Sequence, residues 1–430
     1  MTSKAIKIQI IVIISVIFFF TIVGVVFIFL NSEKNLENIK IGVCTDLDMP
    51  RGQNVLNGAI LAAEEINAAG GILGRRVEII AEDSDVEDIP LDPTKAILAL
   101  SKLITFHDVD FVIVCGGEDF VIESSAEHKT IVFGTLSPSD SLTQRIIDDY
   151  DKYKYFFRLG INQTTFNAIL IDSIVSLRDI TGFNQVAYIA PDLTPVRPMV
   201  ENLEYYLPEV HGFNIVYGEL YPPETIDFSS YFARAEAAGA EIIIPLMVTQ
   251  EGLFFVKEWY DRQSPMVIWG MNTYASQDNG WNASNGKVVY TTGYASSVLQ
   301  LDYLATTKTL ATKNALLNRW GTMPNLQAVS TYDCIRFLLF DALIRAQTTE
   351  TDSMIKALEE SNIENSLEMN FRFTSSHDHF HSSASETAIT MMVQWQENGT
   401  KAIVYPKKIM EEAEATFKFP PWSGPWDNIS

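Results

Sequence analysis

The chain has 430 residues, with 31 lysines and arginines against 54 aspartates and glutamates, and a formal net charge of −23 at pH 7. This acidic balance argues against a nucleic-acid partner and against docking on anionic lipid, because both need clustered basic residues. A hydrophobic fraction of 47% excludes a mainly disordered chain, and three cysteines exclude a disulfide scaffold. We therefore expect a folded protein with one large domain or two smaller domains.

The N-terminal region is typical of a membrane anchor. Residues 8–30 carry no charged side chain and are long enough to cross a bilayer as a helix. Lys4 and Lys7 precede them, which predicts a single-pass protein of the cell membrane with a cytoplasmic N-terminus and an extracytoplasmic remainder. The alternative is a cleaved signal peptide, which normally has a shorter apolar region and a small-residue cleavage site. An exterior position agrees with four Asn-x-Ser/Thr triplets, at Asn162, Asn282, Asn398 and Asn428.

After the anchor, short apolar runs alternate with helical patterns. The first run predicts strands at 39–44, 77–81, 111–115 and 130–133 and helices at 53–68 and 94–106. The second predicts strands at 185–190, 213–218, 241–246 and 266–269 and helices at 165–177, 198–206, 229–238 and 252–260. Helices at 332–346 and 353–360 and strands at 388–396 and 402–405 complete the chain. This pattern predicts an α/β protein of two lobes, each with a doubly wound parallel sheet.

Several segments resemble those of one protein family, in the expected order. Residues 57–77, NGAILAAEEINAAGGILGRRV, resemble the first helix and turn of periplasmic binding proteins of the leucine/isoleucine/valine-binding family. Other similar segments are YFFR at 155–158, IDFS at 226–229, YDC at 332–334, VQW at 393–395 and VYP at 404–406. The resemblance covers nearly everything from residue 39 to about residue 422.

The resemblance implies a type I periplasmic binding protein whose lobes are joined by a three-segment hinge. Lobe 1 would comprise residues 38–158 and 294–389, and lobe 2 residues 159–293 and 390–425. Residues 1–37 would form the cytoplasmic tip, the transmembrane helix and a linker. Proteins of this family close on a small molecule and present it to a transporter, here an ABC permease in the membrane. Ligands of open parallel sheets bind beyond the carboxyl ends of the strands, so site residues are expected there.

Four candidate ligand-binding residues come from lobe 1, by their match to the family's pattern. Thr135 and Ser137 fall on the loop that supplies a carbonyl and a hydroxyl, although Ser137 could equally be a turn residue before Pro138. Asp119 follows the third strand and could face a ligand ammonium or act as a helix N-cap. Arg51 falls near the family's aromatic lid, where it could grip a carboxylate or lie exposed on a loop.

Four more candidates come from lobe 2. Asn272 falls where the family has its ammonium-binding acid, and an amide cannot neutralise a buried cation. Thr194 and Val248 follow two strands and are expected to line the cleft. Tyr274 could add a ring or a hydroxyl to the site, or serve only in packing. Because both halves of the family's amino-acid clamp are altered, we expect a small polar organic solute: an amino acid held differently, an amide or urea-like compound, or a carboxylate.

Other groups could form chemical sites. His377, His379 and His381 alternate along the chain, as metal ligands on a strand would, but we predict a solvated loop without metal. Cys44 and Cys115 end neighbouring predicted strands, where buried free thiols are favoured over a disulfide. With no catalytic motif, we predict a binding protein and not an enzyme, with no cofactor. The alternative function is a ligand-sensing ectodomain that signals through a partner protein.

Overall fold

The structure of the protein is a computed structural model, which describes residues 36–84, 93–116, 118–194, 196–295, 301, 306–367, 369–379 and 391–422. The predicted membrane-spanning segment, residues 8–30, lies outside these ranges. Within them, no helix combines the length and the apolar character that a membrane crossing requires.

Lobe 1 is built on a parallel sheet of five strands in the order β2-β1-β3-β4-β5. Ile41 and Val43 pack with α1 on one face, whereas Val112 and Val114 pack with α2 on the other. Both faces are therefore buried, as the continuous apolar runs predicted. The elements are β1 Ile39–Thr45, α1 Pro50–Ala68, β2 Val77–Asp83, α2 Pro93–Thr105, β3 Phe111–Cys115, α3 Glu118–His128, β4 Ile131–Leu136, α4 Asp140–Asp148, α5 Tyr150–Tyr153 and β5 Phe156–Arg158.

Lobe 2 repeats this architecture with a second parallel sheet in the order β10-β8-β6-β7, in which β9 also pairs with β8. Its two faces carry separate apolar clusters, one around Trp269 and one around Trp259. A π-helical turn at Tyr206–Val210 extends α7. The elements are α6 Gln163–Thr181, β6 Gln185–Pro191, α7 Arg197–Tyr205, β7 Asn214–Tyr221, α8 Ser229–Ala237, β8 Ile242–Met247, α9 Glu251–Arg262, β9 Val267–Ile268, β10 Met271–Asn272, α10 Thr273–Ser276 and α11 Gly280–Ala283.

The rest of the described chain forms an antiparallel sheet, β11-β14-β15, a hairpin, β12-β13, and further helices. Met391 and Val393 of β14 join a core cluster of lobe 1, whereas the intervening Met392 joins lobe 2. One strand therefore contributes to the cores of both lobes. The predicted helix at 332–346 is interrupted by a π-helical stretch, Cys334–Leu339. The elements are β11 Thr292–Ala295, α12 Thr309–Trp320, α13 Leu326–Asp333, α14 Phe340–Ala346, α15 Thr351–Glu359, β12 Asn362–Ser366, β13 Met369–Arg372, β14 Met391–Trp395, β15 Lys401–Tyr405 and α16 Lys407–Glu412.

The predicted lobe boundaries after residues 158, 293 and 389 remain predictions. The chain passes between the predicted lobes three times. Parts of the second and third of these passages, residues 296–300, 302–305 and 380–390, lie outside the described ranges. The first passage, near residue 158, lies wholly within the described ranges.

The prediction of a solvated loop around the histidines is wrong for its described part. His377 is fully buried, its ring stacks on Phe157 with centroids 4.0 Å apart, and its Nδ1 lies 3.0 Å from the Phe156 carbonyl oxygen. Its Nε2 lies 2.9 Å from Glu359, and this hydrogen bond holds the pKa of Glu359 below its usual range. His379 is also buried and stacks on Phe371, whereas His381 lies outside the described residues. The segment is thus part of the core, beside β5.

Cys44 and Cys115 are free, as predicted, and the sheet register gives the reason. Cys44 pairs with Val114, so Cys44 and Cys115 point to opposite faces of the sheet and join different core clusters. Burial raises the pKa of the Cys44 thiol to about 12. These two thiols cannot reach disulfide geometry while the sheet is intact.

The family-like stretch at 57–77 owes part of its pattern to helix packing. A Cβ atom at Gly58 of α1 would lie 2.4 Å from the carbonyl oxygen of Ala328 in α13. Because non-bonded atoms do not approach that closely, only glycine allows the two helices to pack at this distance.

Replacing Gly58 by alanine is expected to lower the free energy of unfolding by about 1–3 kcal/mol, since the added methyl group forces α1 and α13 apart. Urea denaturation measures this change. Gln53→Ala, at an exposed position of the same helix, is the control and should change stability by less than about 0.5 kcal/mol. Equal stability of the two variants would contradict the packing argument.

Candidate functional site

The carboxyl ends of β1, β3 and β4 bring a set of polar groups to one edge of the lobe 1 sheet. We call this set the lobe 1 edge; it consists of Thr45, Asp46, Cys115, Thr135 and Ser137, all of them buried. Parallel strands place their carboxyl ends on the same side, which is why residues distant in sequence meet here.

Arg51 is held beside the lobe 1 edge by the first turn of α1. A Cβ atom at Gly52 would lie 1.7 Å from the Asp46 carbonyl oxygen and 2.7 Å from Thr45 Oγ1, so glycine alone permits this close approach. Arg51 is half-buried on a helix and not exposed on a loop. Burial raises the pKa of the Cys115 thiol, while the positive charge of the Arg51 guanidinium lowers it. The charge of Arg51 therefore acts on this edge.

Two hydroxyls of the lobe 1 edge have no hydrogen-bond partner in the described structure. Thr45 Oγ1 and Ser137 Oγ are both buried and unpaired, and a Cβ atom at Gly134 would lie 2.6 Å from Ser137 Oγ. A buried polar group without a partner costs about 1–3 kcal/mol. Such groups at the ligand-binding edge of a parallel sheet are available to a bound molecule.

Thr135 and Asp119 have other partners. Thr135 Oγ1 donates to the Val114 carbonyl oxygen at 3.1 Å and so ties β4 to β3. Asp119 is the second residue of α3, and its largely exposed carboxylate lies 2.9 Å from Arg145. The hydroxyl of Thr135 and the carboxylate of Asp119 are thus engaged within lobe 1.

Asn272 is buried at the carboxyl edge of the lobe 2 sheet, where its amide serves the local structure. Its Oδ1 accepts the Ala275 backbone N–H at 3.1 Å, which caps α10, and its Nδ2 donates to the Gly252 carbonyl oxygen at 2.9 Å. Both ends of the amide are engaged with backbone groups. Tyr274, two residues after Asn272, and Val248, directly after β8, are half-buried, and Thr194 is exposed after β6.

A buried carboxylate at the same edge escaped the sequence analysis. Glu251, the first residue of α9, accepts hydrogen bonds from the Tyr221 hydroxyl at 3.0 Å and from the Thr249 hydroxyl. Burial and the neighbouring Glu251 carboxylate raise the pKa of Tyr221. No Lys, Arg or His side chain within the described ranges forms an ion pair with Glu251. We call Tyr221, Thr249, Glu251 and Asn272 the lobe 2 edge.

The signal that could have revealed Glu251 is its position four residues beyond the end of β8. The family pattern points instead to Asn272, in the neighbouring strand β10. Two surface cavities lie elsewhere: one of about 410 Å³ is walled by aromatic residues such as Trp281 and Trp422, and one of about 310 Å³ lies beside Lys95 and Lys102. Neither is lined by residues of the two edges.

Comparison with known proteins identifies the fold and the family. Leu/Ile/Val-binding protein homolog 7 from Brucella melitensis is 21% identical over 372 residues, which cover 83% of this chain and 87% of that protein. A structure from Silicibacter pomeroyi, provisionally described as a branched-chain amino acid ABC transporter, superposes with a TM-score of 0.79 at 17% identity over 90% of this chain and 100% of that one.

A third comparison involves a solute binding protein of an ABC transporter from R. palustris, in complex with 4-hydroxybenzoate. It superposes with a TM-score of 0.65 at 17% identity and covers 85% of this chain and 95% of that one. At these identities the structural likeness establishes the fold. Residues 38–400 match the periplasmic binding protein family, and because this match spans most of the chain, the protein belongs to that family, as the sequence predicted.

Proposed function

We propose that this protein is an extracytoplasmic solute-binding protein that captures a small organic acid and delivers it to an ABC importer. One observation carries the proposal: the unpaired, buried hydroxyls of Thr45 and Ser137 lie at the carboxyl edge of the lobe 1 sheet, beside the charge of Arg51. Donor groups of this kind match a carboxylate, whose oxygens accept several hydrogen bonds. Closure of the two edges on the ligand would complete the site without any bond-breaking chemistry.

The lobe 2 edge narrows the ligand class. The buried carboxylate of Glu251 has no basic partner within the described ranges, and a buried charge is stable only when it is compensated. A ligand ammonium at this edge would supply the compensation. We therefore favour an acid that also carries a positive group, such as an amino acid, over a simple aromatic carboxylate.

Location and partner follow from the same proposal. The apolar segment 8–30 would hold the chain at the outer face of the cell membrane, within reach of a permease. The net charge of −23 is consistent with a domain that stays soluble and stands off an anionic membrane surface. The sensing ectodomain remains the second candidate, because a sensor would bind its ligand through the same two edges; uptake of labelled ligand by cells with and without the protein separates the two.

A thermal-shift screen tests the binding proposal. Leucine, isoleucine, valine, benzoate and 4-hydroxybenzoate are compared with isoleucinamide and 4-hydroxybenzamide, which lack the carboxylate. We expect at least one acid to raise the unfolding midpoint while its amide does not, because the amide cannot use Arg51 as a carboxylate does. Stabilisation by amides and acids alike, or by neither, would contradict a carboxylate site.

Ser137→Ala separates a ligand-binding hydroxyl from a structural one. Affinity for a stabilising acid should fall about tenfold, since one hydrogen bond to a charged group is lost. Stability without ligand should stay equal or rise by up to about 1 kcal/mol, because an unpaired buried hydroxyl is removed. Calorimetric titration and urea denaturation measure the two quantities.

The matched control for this variant is Ser264→Ala. Ser264 Oγ is likewise buried and unpaired, but it follows α9 at the end of that helix opposite the lobe 2 edge. Its replacement should leave affinity unchanged. Equal losses of affinity in both variants would show that the Ser137 effect is not local to the ligand.

A further inference from the structure

The turn between β14 and β15 presents an Asn-x-Thr triplet, residues 398–400, to solvent. Asn398 and Thr400 are both exposed. The backbone N–H and the hydroxyl of Thr400 donate to Asn398 Oδ1 at 3.1 and 2.8 Å. These bonds use only the oxygen of the amide, and within the described ranges no group accepts a hydrogen bond from Asn398 Nδ2. The amide nitrogen is therefore accessible to a modifying enzyme.

The other Asn-x-Ser/Thr triplets are placed differently. Asn162 is half-buried, and its amide is engaged at both ends, with a backbone N–H at 2.8 Å and with a carboxylate at 3.2 Å. Asn282 is exposed on α11, but the Ser284 hydroxyl of its triplet is fully buried. Asn428 lies outside the described residues. Of the three triplets that the structure describes, only 398–400 exposes both its asparagine and its hydroxyl residue.

The same turn borders the larger surface cavity, of about 410 Å³. Glu397, the residue before Asn398, lines this cavity, and so does Trp281. The turn lies against the Trp281 ring, since a Cβ atom at Gly399 would be 3.2 Å from the indole. A group attached to Asn398 would therefore start at the rim of the cavity.

The walls of this cavity are aromatic. The rings that line it belong to Tyr260, Trp281, Tyr290 and Trp422. The rings of Tyr260 and Tyr290 stand nearly perpendicular to Trp422, with centroids 5.1 and 6.0 Å from it. Aromatic side chains with a few polar groups among them are typical of a concave ligand site, and the rings provide apolar surface for C–H groups.

The cavity also has polar groups of both charges. Glu397 supplies a carboxylate, which accepts the Tyr290 hydroxyl at 2.5 Å, and Asn285 supplies an amide. Lys287 supplies an ammonium group, which pairs with Asp261 at 2.6 Å. Because the lining holds both an anion and a cation, it favours a neutral ligand over a charged one. A saccharide has apolar C–H faces for the rings and hydroxyls that both donate and accept hydrogen bonds.

We propose that Asn398 is the acceptor of an N-linked saccharide, and that the aromatic cavity holds the first sugars of that saccharide. In the transfer, Asn398 Nδ2 bonds to the anomeric carbon of a saccharide esterified to a phosphate group. The bond between that carbon and the phosphate oxygen breaks, the phosphate leaves with the electron pair, and the amide nitrogen releases one proton to solvent. The glycosyl donor and the transferase belong to the cell. This modification rests on the extracytoplasmic location in the proposed function, because N-linked saccharides are carried by exterior proteins.

Mass spectrometry of the full chain, purified from the cells that naturally produce it, tests the acceptor. We expect the peptide that contains Asn398 to carry the additional mass of a saccharide. Asn398→Gln and Thr400→Val should lose this mass. Thr400→Ser is the matched control and should keep it, because serine also supplies the hydroxyl of the triplet. An unmodified Asn398 peptide in the parent protein, or a saccharide retained in Thr400→Val, would overturn the proposal.

Hydroxyl-radical footprinting tests whether the saccharide lies in the cavity. The parent protein is compared with Asn398→Gln, and Thr400→Val provides a second protein without the saccharide. We expect oxidation of the half-buried Trp281 to rise severalfold when the saccharide is missing, because its ring then meets solvent. Tyr205, which is 58% exposed in α7 on the other face of the lobe 2 sheet, is the internal control and should not change. Equal oxidation of Trp281 with and without the saccharide would overturn its place in the cavity.

The ligand screen separates the fate of this proposal from that of the proposed function. It can be run on Asn398→Gln, which changes no residue of the two edges. A saccharide at Asn398 in a protein that no acid stabilises would count against the proposed function alone. Stabilisation by an acid in a protein whose Asn398 is unmodified would count against the saccharide alone.

Discussion

Replacing Arg158 by methionine is expected to lower the free energy of unfolding by about 3–5 kcal/mol. The Arg158 side chain is only 1% exposed and forms an ion pair with Asp378, which is 8% exposed. Removing the guanidinium leaves a carboxylate in the protein interior without its basic partner, and the desolvation cost of that charge is no longer offset. Urea denaturation followed by circular dichroism measures the change.

Arg197→Met is the control for this prediction. Arg197 pairs with Asp192 on the surface, where the side chains are 56% and 42% exposed. Exposed pairs contribute little, so this variant should lie within about 0.5 kcal/mol of the parent protein. A loss of stability at Arg158 no larger than at Arg197 would mean that burial does not set the strength of the pair.

Replacing Arg51 by methionine is expected to weaken binding of a stabilising acid by about 10- to 100-fold. Hydrogen bonds to charged groups contribute about 1.5–3 kcal/mol, which corresponds to this range of affinity. The affinity of Arg51→Lys for the acid should fall between those of the parent protein and Arg51→Met, because lysine keeps the charge but not the planar pair of donors. Calorimetric titration with the acid found in the thermal-shift screen measures all three proteins.

The matched ligand control is the amide of the same acid. Its weak binding should be nearly the same in the parent protein and in Arg51→Met, because it offers no carboxylate. If the acid binds equally well to both proteins, Arg51 does not contact the carboxylate, and the ligand is held by the hydroxyls of the lobe 1 edge alone.

The local pattern of apolar residues was sufficient to predict the two α/β lobes and most of their strands and helices. The apolar runs that form β1, β3, β6 and β8 are buried on both faces of a sheet. A strand buried in this way appears in the sequence as a continuous apolar run, which can be recognised without knowing its tertiary contacts. Helix limits were less accurate, because tertiary contacts extend or interrupt a helix, as the π-helical stretch Cys334–Leu339 shows.

Site residues were harder to identify, because hydrogen-bond partners come from distant parts of the chain. The sequence places Asn272 after a strand, but only the structure shows that its amide is engaged by Ala275 and Gly252. The position of Glu251 shortly after β8 is visible in the sequence, but its burial against Tyr221, 30 residues earlier, is not. Ser137 and Arg51 were identified from their positions, and the structure adds that one is unpaired and the other half-buried.

The sequence by itself determined the family, the parallel sheets and the apolar N-terminal segment, since each depends on short-range patterns of apolar residues, glycines and charges. Only the tertiary structure decided which polar side chains are buried and which groups they bond to. His377 and Asp378 resemble a solvated loop in sequence, yet the fold buries them beside β5. There Arg158 pairs with Asp378, Glu359 forms a hydrogen bond with His377, and the Phe157 ring stacks on the imidazole. A polar side chain is buried only where hydrogen-bond or ion-pair partners are present. The fold supplies those partners from distant parts of the chain, so neighbouring residues in the sequence do not reveal them.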